Sequence, residues 1–201
     1  MMASITASST NLPEFLRRCL LPLLLAPMLA WGAVIEVVNP QIVFGEEGYA
    51  LSADFHFELR PRLEEAVARG VVLTFVIDFE MTRRRWYWFD ETVAARSQTT
   101  SLSYHALTRQ YRLSSGGLHQ SFATLAEALA VLSRLRYWPI SDDNDPPLRF
   151  GETYQAALRM RLDTSQLPRP FQISALGSRD WNLASDWKTW TVSLSPPPEA
   201  P

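Results

Sequence analysis

The sequence predicts a mainly β protein: an antiparallel β-sandwich, immunoglobulin-like in general architecture, with two short helices. Two observations carry this. Gly48–Leu59, Val71–Met81 and Tyr154–Leu162 alternate apolar and polar side chains with period two, the pattern of strands that bury one face. No glycine-rich phosphate loop follows any of them, which disfavours a nucleotide-binding α/β fold. A curved-sheet α+β fold is the alternative, because it too sets helices against an antiparallel sheet.

Taken in order, Val34–Val38 predicts a first β segment ended by Asn39-Pro40. In the second strand Leu51, Ala53, Phe55, Phe57 and Leu59 alternate with Ser52, Asp54, His56 and Glu58. Pro61–Arg69 predicts a short helix: proline suits its first position, Leu63, Ala66 and Val67 share a face, and Gly70 suits a left-handed terminus. The third strand places Val71, Leu73, Phe75, Ile77, Phe79 and Met81 on one side and Thr74, Asp78 and Glu80 on the other. Ser97–Ser115 predicts a hairpin, with Leu102 and Tyr104 before and Tyr111 and Leu113 after a Thr108-Arg109-Gln110 tip. Thr124 and Glu127 match a capping box ahead of the stripe Leu125, Ala128, Leu129, Leu132 and Leu135, so a second helix is expected there. Asp142–Pro147 reads as a loop, Tyr154–Leu162 as another half-buried strand, and Trp187–Leu194 as the last one.

The ends read differently. Arg17 and Arg18 flank the apolar run Cys19–Leu29, and Ala30-Trp31-Gly32 presents small residues where a signal peptidase cuts. Residues 1–32 are therefore expected to be a signal peptide, with an uncleaved anchor as the alternative. Residues 33–195 are expected to form a single domain, and 196–201 a disordered, proline-rich tail. Cys19 is the sole cysteine, so the mature chain of about 168 residues has neither a disulfide framework nor a thiol nucleophile. Localisation follows as periplasmic, or anchored in the inner membrane and facing the periplasm. Of 19 basic and 21 acidic side chains, Arg17, Arg18 and Glu14 lie in the leader, leaving 17 and 20 and a net charge near −3. That balance disfavours nucleic acid and anionic membrane as general partners. Lys188 is the only lysine, and arginine favours planar, bidentate pairing with carboxylates.

Two constellations are candidate chemistry. If the second and third strands pair across the short helix, Asp54, His56, Glu58, Asp78 and Glu80 share one face. His56, Asp78 and Glu80 would then make a metal site for an envelope hydrolase. The competing reading is a solvated face whose carboxylates pair with Arg60, Arg83 or Arg159. The other constellation is Arg83-Arg84-Arg85 followed by Trp86-Tyr87-Trp88-Phe89. Interleaved arginine and indole make cation–π stacks and partner-binding surfaces, so Arg83, Arg85, Trp86 and Trp88 are the candidate binding surface. Core packing of those aromatics is the competing reading. His105 and His119 have no metal spacing, the Asp142–Asp145 run lacks a calcium loop's glycine and closing glutamate, and no G-x-S-x-G occurs. No catalytic set is recognisable and no cofactor is called for.

Glu46–Val67, Thr82–Glu91, Leu102–Leu129, Ala157–Gln172 and the closing Asp180–Trp190 together resemble the DUF4390 family of exported bacterial proteins, typical of β-proteobacteria. The resemblance implies export and a single domain, and it carries no activity or catalytic residues. Members are often encoded near a membrane sensor kinase of nitrogen regulation, which implies an envelope or inner-membrane partner of that kind. The expectation is a non-enzymatic periplasmic module that binds a protein or ligand, with the metal-assisted hydrolase as its rival.

Overall fold

A computed structural model describes residues 35–45, 48–85, 89–142, 145–176 and 178–194 of the chain. The expected leader, Trp86, Trp88 and the proline-rich tail lie outside them. The most regular alternation becomes β3 (Leu73–Arg83), whose Leu73, Phe75, Ile77, Phe79 and Met81 are all buried. It pairs antiparallel with β4 (Glu91–His105) on one side and β8 (Thr153–Leu162) on the other. With β5 (Gln110–Ser115), β6 (Leu118–Phe122) and β9 (Lys188–Ser193) they form a six-stranded sheet in the order β6-β5-β4-β3-β8-β9. A second antiparallel sheet holds β1 (Glu36–Gly45), β2 (Gly48–His56) and β7 (Arg134–Pro139) in the order β1-β2-β7.

The fold is thus mainly β, built from two antiparallel sheets whose apolar rows share one core. Leu51, Ala53 and Phe55 of β2 join the inward rows of β3 and β8 in that cluster. Aromatic contacts seal it: Phe79 of the large sheet lies 6.5 Å from Trp138 of the small one and 6.4 Å from Trp190.

Three helices are described where two were expected. α1 (Pro61–Ala68) starts on Pro61, buries Leu63, Ala66 and Val67, and ends at Gly70, whose φ of 88° needs a residue without a Cβ. α2 (Leu125–Leu132) is capped by Thr124 Oγ1, which accepts from Glu127 N at 3.2 Å. The Glu127 carboxylate reaches back to Ala123 N rather than Thr124 N, a capping box displaced by one residue. The helix stops at Leu132, so Leu135 belongs to β7 and is buried from the small sheet instead. α3 (Arg169–Ala175) has no long apolar stripe to reveal it; Phe171 packs on Trp181 at 5.6 Å.

Two further expectations are corrected. Asn39-Pro40 does not end the first strand: β1 runs through it as a bulge, the register slipping between Val38 and Gln41 with Asn39 at φ 47°. The hairpin register is as expected, Leu102 facing Leu113 and Tyr104 facing Tyr111. Its tip moves to 106–109 because Gln110 already pairs with His105. No helix among the described residues is long and apolar enough to cross a membrane.

Candidate functional site

At the far end of β3 the inward row closes on a charge. Arg83 continues the register of Phe79 and Met81, opposite Tyr154 of β8, and its side chain is 21% exposed. A guanidinium held that close to an apolar core needs partners on each nitrogen. Glu91 Oε2 accepts from Nε at 3.1 Å and from Nη2 at 2.5 Å, and Glu152 Oε2 accepts from Nη1 at 2.9 Å. The lattice extends outward. Arg85 Nη2 reaches the same Glu91 oxygen at 2.6 Å, and Arg149 Nη1 lies 3.4 Å from Glu152 Oε1. Tyr154, buried to 1% exposure, places its hydroxyl 3.3 Å from Glu152 Oε2 and accepts from Arg149 N at 2.8 Å.

The electrostatics follow from this geometry. The hydrogen bonds from Arg83, then Arg85, hold the Glu91 carboxyl below its ordinary range. Arg83 does the same to Glu152, and the two carboxylates in turn keep Arg83 firmly protonated. Burial, and then the neighbouring Tyr154, push the Tyr49 phenol up.

Around this lattice the surface is aromatic. Phe44 meets Tyr49 edge-on at 5.2 Å, and Tyr49 meets Phe150 at 6.4 Å. Phe44, Phe150 and Phe89 are 41%, 53% and 87% exposed, unusual for large apolar rings and concentrated at one pole of the sandwich. Arg84 is exposed and makes no ion pair among the described residues. The pole therefore pairs an ion-paired base with exposed aromatic rings and, in Arg84, an arginine that makes no ion pair among the described residues.

The structure divides the sequence candidates. Arg83 and Arg85 come together on Glu91, Arg83 turned inward as a structural partner and Arg85 still exposed at the rim. Trp86 and Trp88 lie outside the described residues; among those described, an indole–arginine stack forms where the Arg159 guanidinium lies 4.3 Å over the ring of Trp187. Glu152, Arg149, Phe150 and Phe44 were not anticipated. Glu152, Arg149 and Phe150 sit in the loop ahead of β8, which carries no local periodicity, and the long-range pairing of β3 with β8 brings them in, whereas Phe44 lies near the end of β1 and arrives through its pairing with Tyr49 of β2.

The shared acidic face is a correction. β2 and β3 do not pair; they lie in different sheets, and each turns its apolar row inward. Asp54 and His56 consequently face outward from one sheet and Asp78 and Glu80 from the other, so His56, Asp78 and Glu80 do not assemble. Among the described residues no group of three or more His, Cys, Asp or Glu is placed to hold a metal ion. Asp54 pairs with Arg136 at 2.5 Å. Asp78 accepts from Arg159 Nε at 3.0 Å, Arg161 Nε at 3.2 Å and Ser97 Oγ at 3.1 Å. Partial burial pushes the Asp78 carboxyl up, but these three donors outweigh it and hold the group below its ordinary value. Pairing with Arg159 is the solvated-face reading of that strand.

Fold and site together define a β-sandwich protein with an arginine–carboxylate lattice at one pole. The chain belongs to the family described as a domain of unknown function, DUF4390, which matches residues 33–191 and so spans the framework from β1 into β9. No curated protein and no solved structure matches the chain.

Proposed function

We propose that this chain is a non-enzymatic module of the periplasm that binds a partner protein through the pole bearing Arg84, Arg85, Phe89, Arg149 and Phe150. The observation that carries the reading is the coincidence of exposed aromatic rings and arginines on a base locked by ion pairs. Aromatic residues and arginine dominate the energetics of protein interfaces, and a preformed base lowers the entropy lost on association. Spare arginine against a chain of formal net charge −2 favours an acidic partner surface. Export rests on the basic-flanked apolar run Cys19–Leu29, on the small residues before Ala33, and on a cysteine-free remainder. The resemblance to the exported family makes an inner-membrane sensor kinase the first partner to seek.

Crosslinking in the native envelope, with recovery of the full chain and mass spectrometry, tests the surface. The triple variant Arg84→Ala, Arg85→Ala, Phe89→Ala is expected to lose the recovered partner. It should keep its thermal midpoint within about 4 °C, as exposed substitutions do in a chain of this size. A partner recovered equally by the variant refutes the assignment.

A further inference from the structure

Among the described strands, β1 and β7 edge the small sheet, and β6 and β9 edge the large one. An edge strand presents unpaired N–H and C=O groups, and proteins blunt such edges with proline, bulges or charge. Three of these four edges are blunted. β1 carries Pro40 and its bulge, β7 carries Arg134, Arg136 and Pro139, and β9 carries Lys188. β6 reads Leu118-His119-Gln120-Ser121-Phe122, with no proline, bulge or fixed charge, and it is exposed along most of its length. The two-residue turn Gly116-Gly117 makes Ser115 and Leu118 the closing hydrogen-bonded pair of the β5–β6 hairpin. The alternation along the ladder then turns the backbone groups of Leu118, Gln120 and Phe122 toward β5 and those of His119 and Ser121 outward. These outward groups make no backbone hydrogen bond among the described residues.

The strand that matches this edge is the edge itself. An antiparallel copy centred on Gln120 sets Gln120 against Gln120, His119 against Ser121 and Leu118 against Phe122. Amide meets amide, polar meets polar, and no fixed charges oppose one another. Leu118, which is largely exposed, gains an aromatic neighbour. The same register satisfies the backbone. His119 and Ser121, whose groups point outward, become the hydrogen-bonded pair, twice over by symmetry. Leu118 and Phe122 fall at the non-hydrogen-bonded positions, where side chains approach most closely. Sliding by one residue opposes an outward-bonding residue to an inward-bonding one, and sliding by two sets Gln120 against Leu118 or Phe122. We propose that β6 pairs antiparallel with β6 of a second copy, about a two-fold axis at Gln120, so that two six-stranded sheets become one. This surface uses none of the residues of the aromatic pole and stands independently of the partner-binding reading.

Sedimentation equilibrium of the full chain tests it, and twice the mass of one chain is expected. Ser121→Pro removes an outward N–H from each copy, and Gln120→Lys opposes like charges across the axis. Both positions are exposed at the edge, so circular dichroism should report an unchanged fold. The first should abolish the dimer and the second should weaken it about fivefold or more. Cysteine cross-linking reads the register without relying on either variant. Within β6 only position 120 meets its own copy, at a separation a disulfide spans, whereas the two copies of position 119 lie on a diagonal. In a Cys19→Ser background, Gln120→Cys should therefore cross-link on mild oxidation and His119→Cys should not. A monomeric parent chain, including one whose edge takes an unrelated extended segment instead, overturns the assignment. So does a dimer that survives both substitutions, or cross-linking with no preference for position 120.

Discussion

Arg83 shows how one side chain can be misread from its neighbours in sequence. Beside Arg84 and Arg85 it looks like part of an exposed basic run. In the fold it ends the inward row of a strand and is spent on two carboxylates. Asp78 is its counterpart on the outer face, holding two arginines and a serine. Asp78→Ala strands Arg159 and Arg161 at a partly solvated site. The expected cost is about 1–2 kcal/mol, below the full value of a buried charged pair because water screens both guanidinia. A thermal midpoint lowered by about 2–8 °C checks this. The three carboxyls with depressed values, Asp78, Glu91 and Glu152, make a joint prediction. The unfolded chain takes up protons at ordinary carboxylate values, about pH 4, while the folded chain resists until lower pH. Their contribution is therefore present above about pH 5 and is lost progressively as pH falls through about 4 and below. Urea midpoints should be level from pH 7 to 5 and fall steeply by pH 3, and Asp78→Ala should flatten part of that slope.

Among the described α-helices, α2 is the one whose N-cap residue holds the first turn through a side-chain hydrogen bond. Thr124→Ala removes the acceptor for Glu127 N and should cost about 1 kcal/mol, read as a lower urea midpoint with an unchanged slope. β7 carries a different local strain. Tyr137 sits at φ 49°, a region that costs a bulky residue about 1–2 kcal/mol, and its side chain is 71% exposed, so little packing offsets it. Tyr137→Asn should stabilise the chain by about 0.5–1 kcal/mol, and a lowered thermal midpoint would show that the ring contributes contacts that outweigh the backbone strain. Elements with local signals were legible: α1 from Pro61 and Gly70, α2 from Thr124 and Glu127, the β4–β5 hairpin from its paired leucines and tyrosines. β6, β7 and α3 were not. β6 is exposed along most of its length, β7 is interrupted by the Tyr137 kink, and α3 rests on a tryptophan ten residues downstream of its contact Phe171.

For the molecule as a whole, the contact between the sheets is where stability concentrates. Phe79 is fully buried and touches Trp138 and Trp190, so Phe79→Ala should cost about 3–5 kcal/mol. Phe89→Ala, at the pole, should stay within about 0.5 kcal/mol, and denaturant unfolding of the two variants separates a core ring from a surface ring.

What the sequence determined by itself is which side of β2, β3 and β8 is buried, where two helices begin, and the register of one hairpin. Those features depend on residues a few positions apart, and period two or a capping residue reports them directly. Tertiary structure alone decided the partners. A half-buried strand hides its apolar row equally well beneath a helix, in its neighbour's sheet or across a sandwich. α1 is long enough to carry the chain from the small sheet to the large one, so Asp54 and His56 parted from Asp78 and Glu80. The pairing of β3 with β8 closed Arg83 onto Glu152, sixty-nine residues away, and no local pattern encodes a contact at that separation.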